Sequence, residues 1–355
     1  MRTTFFLSTI IAMFLISSCD TKVDLIEEGL ETSVVFGFMD PTVDTQFVKI
    51  TKTFVTEGSA VDSAQDPGLS EYNNLAAYVI EYDDDHDSVN SYLLQEKIVT
   101  DKDSGAWYYP VQTVYFFTEI VNFDYTYEIG FTGSGNDVIS STDIVGAYKN
   151  DITTNLPEVK FVDDFEIGAT DYHFKGITVK SSRNTKRYEF TYRYHYKEIY
   201  TDGSEKDKVM SFKKAPWVVP GSGSQLDGTD VYDGFAIDGE GFYQAVAGRI
   251  LAEDNEANVE RRVIGKIDFI FEYAGEDFNT FIELSEPSTS LNVEQNPYSN
   301  ITNAIGVWSS RGITTFLDKS LTFPSVQEMA LGQYTGELHF CSDDPGHVGT
   351  SWGCN

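Results

Sequence analysis

The sequence predicts a mainly β protein: an immunoglobulin-like β-sandwich over residues 33–150, then a larger β-rich domain over 151–355 with one or two short helices. Three observations predict it. The run YEFTYRYHYKEIY (188–200) alternates aromatic or aliphatic with polar residues at period two, the pattern of a strand buried on one face. Short runs rich in Val, Ile, Tyr and Phe recur along the chain between Gly, Pro, Asn and Asp turns, as the several short strands of a sandwich require. Aromatic residues make up 14% of the chain, with 21 Tyr and 25 Phe, and such side chains suit a pleated, half-buried surface. The 337 residues after position 18 exceed one small core and point to about two domains.

In chain order, VVFGFM (34–39) and QFVKITKTFV (46–55) read as two strands joined by a short Pro-containing turn. The polar stretch 56–74 reads as a loop across an open end of the sandwich. AAYVIEYDDD (76–85) resumes alternation, and further strands are expected at 91–100, 107–117 and 125–131. In the last of these, Tyr125, Tyr127, Ile129 and Phe131 share a face. In 188–200, Tyr188, Phe190, Tyr192, Tyr194 and Tyr196 point one way, while Glu189, Thr191, Arg193, His195 and Lys197 point the other. TDGS (201–204) then turns the chain into a hairpin through 206–215. KIDFIFEY (266–273) is a second aromatic strand. GEGFYQAVAGRILAED (239–254) places Phe242, Val246 and Ile250 every four residues without proline, predicting a helix. Residues 276–288, closed by Pro287, predict a weaker one. The absence of a fixed-period repeat argues against a solenoid.

Residues 1–18 carry one charge, Arg2, an apolar core from Phe5 to Ile16, and two serines before Cys19. This is the layout of a secretory signal peptide. The core is about a dozen residues, short of the roughly twenty that a spanning helix needs. Leu15-Ile16-Ser17-Ser18-Cys19 resembles the bacterial lipobox, which implies removal of residues 1–18 and lipid attachment at Cys19. Residues 19–32 then read as a polar, acidic tether. Several acyl chains, at about 0.8 kcal/mol per buried methylene, hold a protein on a bilayer where one chain would not.

Lys and Arg total 25 against 56 Asp and Glu, a formal net charge of −31. Such a surface repels phosphate backbones and anionic headgroups, which argues against nucleic-acid binding and polybasic membrane attachment. Cys341 and Cys354 stand in HFCSDDPGHVGTSWGCN, and in an oxidising extracytoplasmic space a disulfide between them is the natural pairing. It closes a short Gly-, Pro- and Asp-rich loop, a constraint worth about 3 kcal/mol. The alternative is a metal site joining both thiolates to His339 or His347.

YDDDHDSVN (82–90) gathers Asp83, Asp84, Asp85, His86 and Asp87, oxygen ligands of the kind that wrap calcium. It lacks the glycine and closing glutamate of an EF-hand loop, and a solvated hairpin tip accounts for it as well; no other cofactor is expected. DGTDVYDGFAIDGEG (227–241) fails the calcium-loop spacing and reads as a mobile connection ahead of the helix. Two carboxylates from it facing across a cleft would suit glycoside cleavage. No GxSxG, HExxH, SxxK or Cys–His arrangement occurs, so no catalytic residue is assigned. GSGS (221–224) reads as a turn, and His195 as a solvent-facing side chain. The tyrosine-rich strands read as core, while Trp107, Tyr108, Tyr109 and Trp308 lie nearer expected loops and are the better candidates for a sugar- or peptide-binding surface.

The lipobox, the 34–39 and 46–55 pair, NPYSNITNAIGVWSSRG (296–312) and the C-terminal cysteine pair together resemble the Bacteroidota lipoproteins of the domain-of-unknown-function 4249 family. The resemblance implies a mostly β, outer-membrane lipoprotein facing the periplasm or the cell surface, often associated with TonB-dependent receptor systems. It transfers no catalytic residues. Asp20, Glu27 and Glu28 are loosely like the surface-export signals of such bacteria. The expected function is a lipid-anchored binding or assembly partner, with an outer-membrane receptor or TonB-dependent transporter as its candidate partner. The alternatives are a surface glycan hydrolase using paired carboxylates and a purely structural lipoprotein. A deep cleft with two carboxylates about 5–10 Å apart would favour the hydrolase, and an open face would favour the binder.

Overall fold

The computed structural model describes residues 31–56, 58–146, 152–153, 158–253, 258–285 and 298–354. The expected signal peptide, Cys19, and the acidic residues Asp20, Glu27 and Glu28 lie outside them. Eight strands fill the first part: β1 (Ser33–Met39), β2 (Thr45–Lys52), β3 (Ala77–Tyr82), β4 (Ser88–Leu93), β5 (Gln95–Val99), β6 (Gln112–Thr118), β7 (Thr126–Gly133) and β8 (Asn136–Asp143). Four longer strands follow: β9 (Arg187–Tyr200), β10 (Glu205–Lys213), β11 (Val259–Ala274) and β12 (Ala304–Leu321). Three helices accompany them, α1 (Gly239–Ala252), α2 (Glu276–Ser285) and α3 (Phe323–Leu331). The protein is mainly β, as its sequence predicts.

One large sheet runs in the order β10-β9-β11-β12-β1-β2-β6-β5, and a second runs β4-β3-β7-β8. The second sheet covers β1, β2 and β6 to make the sandwich, whose core joins Val35, Val48, Ile50, Tyr115 and Phe117 to Ala77, Val79, Tyr127, Ile129 and Phe131. A second core lies under the longer strands. There the alternating faces of β9 and β11, Tyr188 to Tyr196 and Ile267 to Tyr273, meet Phe242, Tyr243, Val246 and Ile250 of α1. Asp238 caps α1, its carboxylate accepting from the Glu240 N–H at 3.2 Å.

The expected division at position 150 does not fall on a break in the sheet. β12 pairs in parallel with β1, from Ser33↔Ala304 to Met39↔Ser310, and its second half pairs antiparallel with β11, from Ala274↔Arg311 to Ile267↔Lys319. The sandwich therefore takes a strand from beyond residue 300, which satisfies the edge of β1 that no other described strand pairs with. Trp308 is correspondingly not a surface residue. It is fully buried, its Nε1–H donates to the Tyr127 carbonyl at 2.9 Å, and the Asn300 amide brackets its backbone N–H and C=O at 3.0 and 2.7 Å. Its ring lies over Gly37, where a Cβ would meet ring carbons at 2.5 Å. Gly306, at φ +124°, lets β12 approach the Val35 carbonyl, which a Cβ would strike at 1.9 Å.

Other expectations are corrected locally. The strand expected at 91–100 is two strands in different sheets, because Leu94 is buried and its N–H donates to the Ala77 carbonyl, turning the chain across the sandwich corner. Residues 107–111 are a loop with a cis Tyr109–Pro110 bond, and β6 begins only at Gln112. Within 56–74, single helical turns at Ala60–Ser63 and Pro67–Ser70 are capped by Ser59 and Asp66. The stretch 227–241 is not a free connection: Val231–Tyr232 pairs with Thr178–Lys180, and Ile237–Asp238 with Phe174–Lys175. The tail of the second expected helix, including Pro287, lies outside the described residues.

Buried carboxylates are satisfied largely by phenols. Glu81 accepts from Tyr127 and Tyr92 at 2.7 and 2.8 Å, and the fully buried Glu328 accepts from Tyr172 and Thr170 at 2.7 and 2.8 Å. Burial, and then the adjoining carboxylate, push the Tyr92 and Tyr172 hydroxyls well above the ordinary phenol range; Tyr127 is shifted the same way, burial again acting first.

Gly37→Ala is expected to destabilise the fold by about 1–3 kcal/mol through overpacking against Trp308, measured as a lowered denaturant midpoint. Phenols whose folded pKa is raised hold a proton that the unfolded chain releases earlier. Their stabilisation is thus complete below about pH 10 and lost as pH climbs from there toward the folded values. Denaturation followed through the alkaline range is expected to show that loss. Tyr127→Phe is expected to cost about 1–3 kcal/mol at neutral pH, since it leaves Glu81 one donor short, and to flatten the alkaline decline.

Candidate functional site: a charged cleft beside helix α2

α2 crosses the face of the large sheet opposite the sandwich core. Phe36 and Phe38 alternate away from that core on β1 and meet Phe281 and Phe278 of α2, with ring centroids 5.8 and 4.3 Å apart. The Phe278 N–H donates to Ser309 Oγ at 3.2 Å. Beside this contact, a cleft of about 220 Å³ is lined by Asp40, Arg187, Glu189, Glu272, Arg311, Phe278, Ile282 and Ile313, with backbone from Tyr273 to Ala274 and at Gly312.

Four of the five charged groups arrive by strand alternation, and Asp40 follows the end of β1. Glu189 and Glu272 are direct cross-strand partners on β9 and β11, as are Arg187 and Ala274, while Ala274 and Glu272 pair with Arg311 and Ile313 on β12. Directly opposed residues have Cβ atoms about 5 Å apart, so two carboxylates share one wall. Their repulsion is relieved on one side only. Arg187 Nε donates to Glu189 Oε1 at 2.9 Å, Lys213 pairs with Glu189, and Arg187 also reaches Asn279 Oδ1 of α2 at 3.4 Å. Burial acts to raise the Glu189 pKa, but hydrogen bonds from Lys213 and Arg187 outweigh it and hold the carboxyl below its ordinary range. The side chains of Glu272 and Arg311 make no ion pair or hydrogen bond to any described residue.

The residues singled out by sequence fall elsewhere. Cys341 and Cys354 form a disulfide, S–S 2.04 Å, which removes the thiolates from any metal site. His347 instead bonds Ser342 Oγ at 2.8 Å and packs on Trp352. At the 82–90 hairpin tip, Asp83 Oδ1 accepts from the Asp85 and Asp87 N–H groups at 3.1 and 2.9 Å, and His86 stacks on Tyr82. That carboxylate closes the turn, and no metal-holding group of three or more His, Cys, Asp or Glu side chains occurs among the described residues. His195 is not simply solvent-facing, because its Nε2 lies 2.7 Å from Asp268 Oδ2, which is mostly buried. Trp107 and Tyr109 are exposed. The alternation in 188–200 put Glu189 on a polar face, but nothing in the sequence says that β11 and β12 lie beside it, and so the cleft was not legible.

No family model matches the chain, and no curated protein matches it. Among solved structures, trypsin-activated alpha-2-macroglobulin from Escherichia coli is similar over 69% of this chain and 14% of that one, at 8% identity and a TM-score of 0.18. At that level the likeness carries no argument.

Glu189→Gln strips Arg187 and Lys213 of their carboxylate and is expected to cost about 3–5 kcal/mol at neutral pH. A carboxyl with a lowered folded pKa stabilises above its unfolded value, about 4.3, and ceases to do so as pH falls through the folded one. The gap between wild type and variant in urea denaturation is therefore expected to close in acid.

Proposed function

We propose that this chain is a lipid-anchored outer-membrane lipoprotein that acts as a binding or assembly partner, gripping a side chain or chain terminus of a partner protein in the α2 cleft. The observation that carries the reading is Arg311 with Glu272, two opposite charges without an ion pair among the described residues, lining one largely apolar cleft in a chain where cations are scarce. Arg is suited to planar recognition of a carboxylate, and Glu272 supplies the complementary acceptor. The volume falls below the 300–1,000 Å³ typical of small-molecule sites, which favours one inserted group over a whole ligand. Anchorage at Cys19 would keep such a grip effective at modest affinity by concentrating both partners in one membrane. The sequence resemblance favours a TonB-dependent transporter as that partner.

The carboxylate pair supports a second reading, glycan hydrolysis, since Glu189 and Glu272 share a wall of the cleft. Against it, a general acid must retain its proton near neutrality, and Glu189 is held the other way.

Mass spectrometry of the native protein is expected to find a diacylated Cys19 as the first residue; an unmodified thiol or a retained Met1 removes the anchor. Pull-down from detergent-solubilised outer membranes is expected to recover a stoichiometric receptor, with recovery lowered about tenfold or more by Arg311→Glu. Equal recovery with that variant moves binding away from the cleft. Glycan hydrolysis that disappears in Glu272→Gln would establish the second reading instead.

A further inference from the structure

Two loops at the start of the sandwich bring exposed apolar side chains together where the chain joins the fold. Ser33, at the head of β1, pairs with Lys52 at the end of β2, and the Thr53 N–H donates to the Thr32 carbonyl at 2.8 Å. The described chain therefore begins beside Thr53. Phe54 follows at once, its ring centroid 6.0 Å from that of Trp107. In the two segments that carry this pair, Val55, Val61, Trp107 and Tyr109 are 47%, 61%, 51% and 46% exposed. The platform beneath is knit together: the Tyr108 N–H donates to the Ala64 carbonyl at 2.9 Å, Gln65 Nε2 to the Ala106 carbonyl at 2.8 Å, and Lys102 Nζ to the Tyr108 carbonyl at 2.8 Å. The apolar groups are thus held outward by a fixed hydrogen-bonded base.

We infer that this end of the sandwich is a lipid-facing surface that seats in the headgroup region of the membrane. Trp107 and Tyr109 serve as interfacial rings, and Phe54, Val55 and Val61 supply the apolar contact. The inference rests on the anchor proposed above and adds the orientation that the anchor alone does not set. In any conformation, the thirteen residues from Cys19 to Glu31 span at most about 43 Å, and Glu31 is held at Lys52, next to Thr53. The α2 cleft lies past the other end of β1, at Asp40, about 20 Å further along the strand, so seating by this patch turns the cleft toward a partner. The contact is apolar rather than electrostatic, because the chain carries a formal charge of −31 and the two segments that carry the patch also carry Asp62, Asp66, Asp101 and Asp103.

Trp217, Trp308 and Trp352 are buried, so Trp107 reports on this surface by itself. The native full-length lipoprotein, reconstituted into zwitterionic vesicles with brominated acyl chains, is expected to lose Trp107 emission and to gain protection from aqueous acrylamide. The effect is expected to persist in high salt and to vanish in Trp107→Phe. Val61→Asp, on an exposed helical turn, is expected to reduce the quenching several-fold without moving the thermal midpoint. Protein that floats with the vesicles but keeps its emission overturns the inference while leaving the anchor intact. Protein that does not float removes the anchor. The surface is then read on the chain from Asp20 with an N-terminal hexahistidine on nickel-chelating lipid, where quenching supports the inference and unchanged emission overturns it. Quenching by soluble oligosaccharide and not by lipid overturns it in favour of a glycan-binding face.

Discussion

The parallel ladder between β1 and β12 is the constraint on which the rest of the molecule depends. Seven residues of β1 pair with seven of β12, and the approach is possible only because Gly306 and Gly37 have no side chain where Val35 and the Trp308 ring must pass. Val307, Trp308, Ser309 and Ser310 are buried on both faces, with the sandwich core on one side and α2 on the other. Small hydroxyls suit that double burial: Ser310 Oγ accepts from the Val145 N–H and donates to the Asp143 carbonyl at 3.1 and 2.7 Å. The same strand then delivers Arg311 to the cleft, so that core packing and site geometry are consequences of one register.

Charge is arranged around a shortage of cations. Acidic residues outnumber basic ones 56 to 25, and Tyr hydroxyls serve the buried Glu81 and Glu328 and the half-buried Asp277. A neutral donor avoids desolvating a second charge, which is the costly part of a buried ion pair. The exceptions mark places where geometry demands more. Glu198 and Arg262 are both almost fully buried and bonded at 3.2 Å, with the guanidinium also donating to the Leu338 carbonyl at 2.8 Å, which ties β9, β11 and the C-terminal segment together. The cleft is another such place, and there Arg311 has no ion pair among the described residues.

Period-two alternation made the faces of β7, β9 and β11 legible, because a half-buried strand writes its environment directly into its sequence. Tyr127, Ile129 and Phe131 and the aromatic row from Tyr188 to Tyr196 are core, as their spacing required. Four-residue spacing likewise placed α1 to within two residues of its end. What alternation does not carry is lateral order. That β12 would close the edge of β1, 270 residues upstream, depends on long-range pairing with no local signal, and with it went both the place of Trp308 and the cleft. Leu94 failed for a related reason, since a single buried residue between two strands reads as continuity when it is a corner. The disulfide was legible because a chain with three cysteines, two of them in one short C-terminal loop, leaves few pairings.

The direction of the β1–β12 pairing has a mechanical side. A pull along β1 from Ser33 runs parallel to its neighbours, so the hydrogen bonds to β2 and β12 are loaded together in shear rather than opened one after another. β12 in turn runs without interruption into the strands that carry the cleft. Load entering at β1 would thus reach Arg311 across the β1–β12 hydrogen bonds, which share it over seven residue pairs.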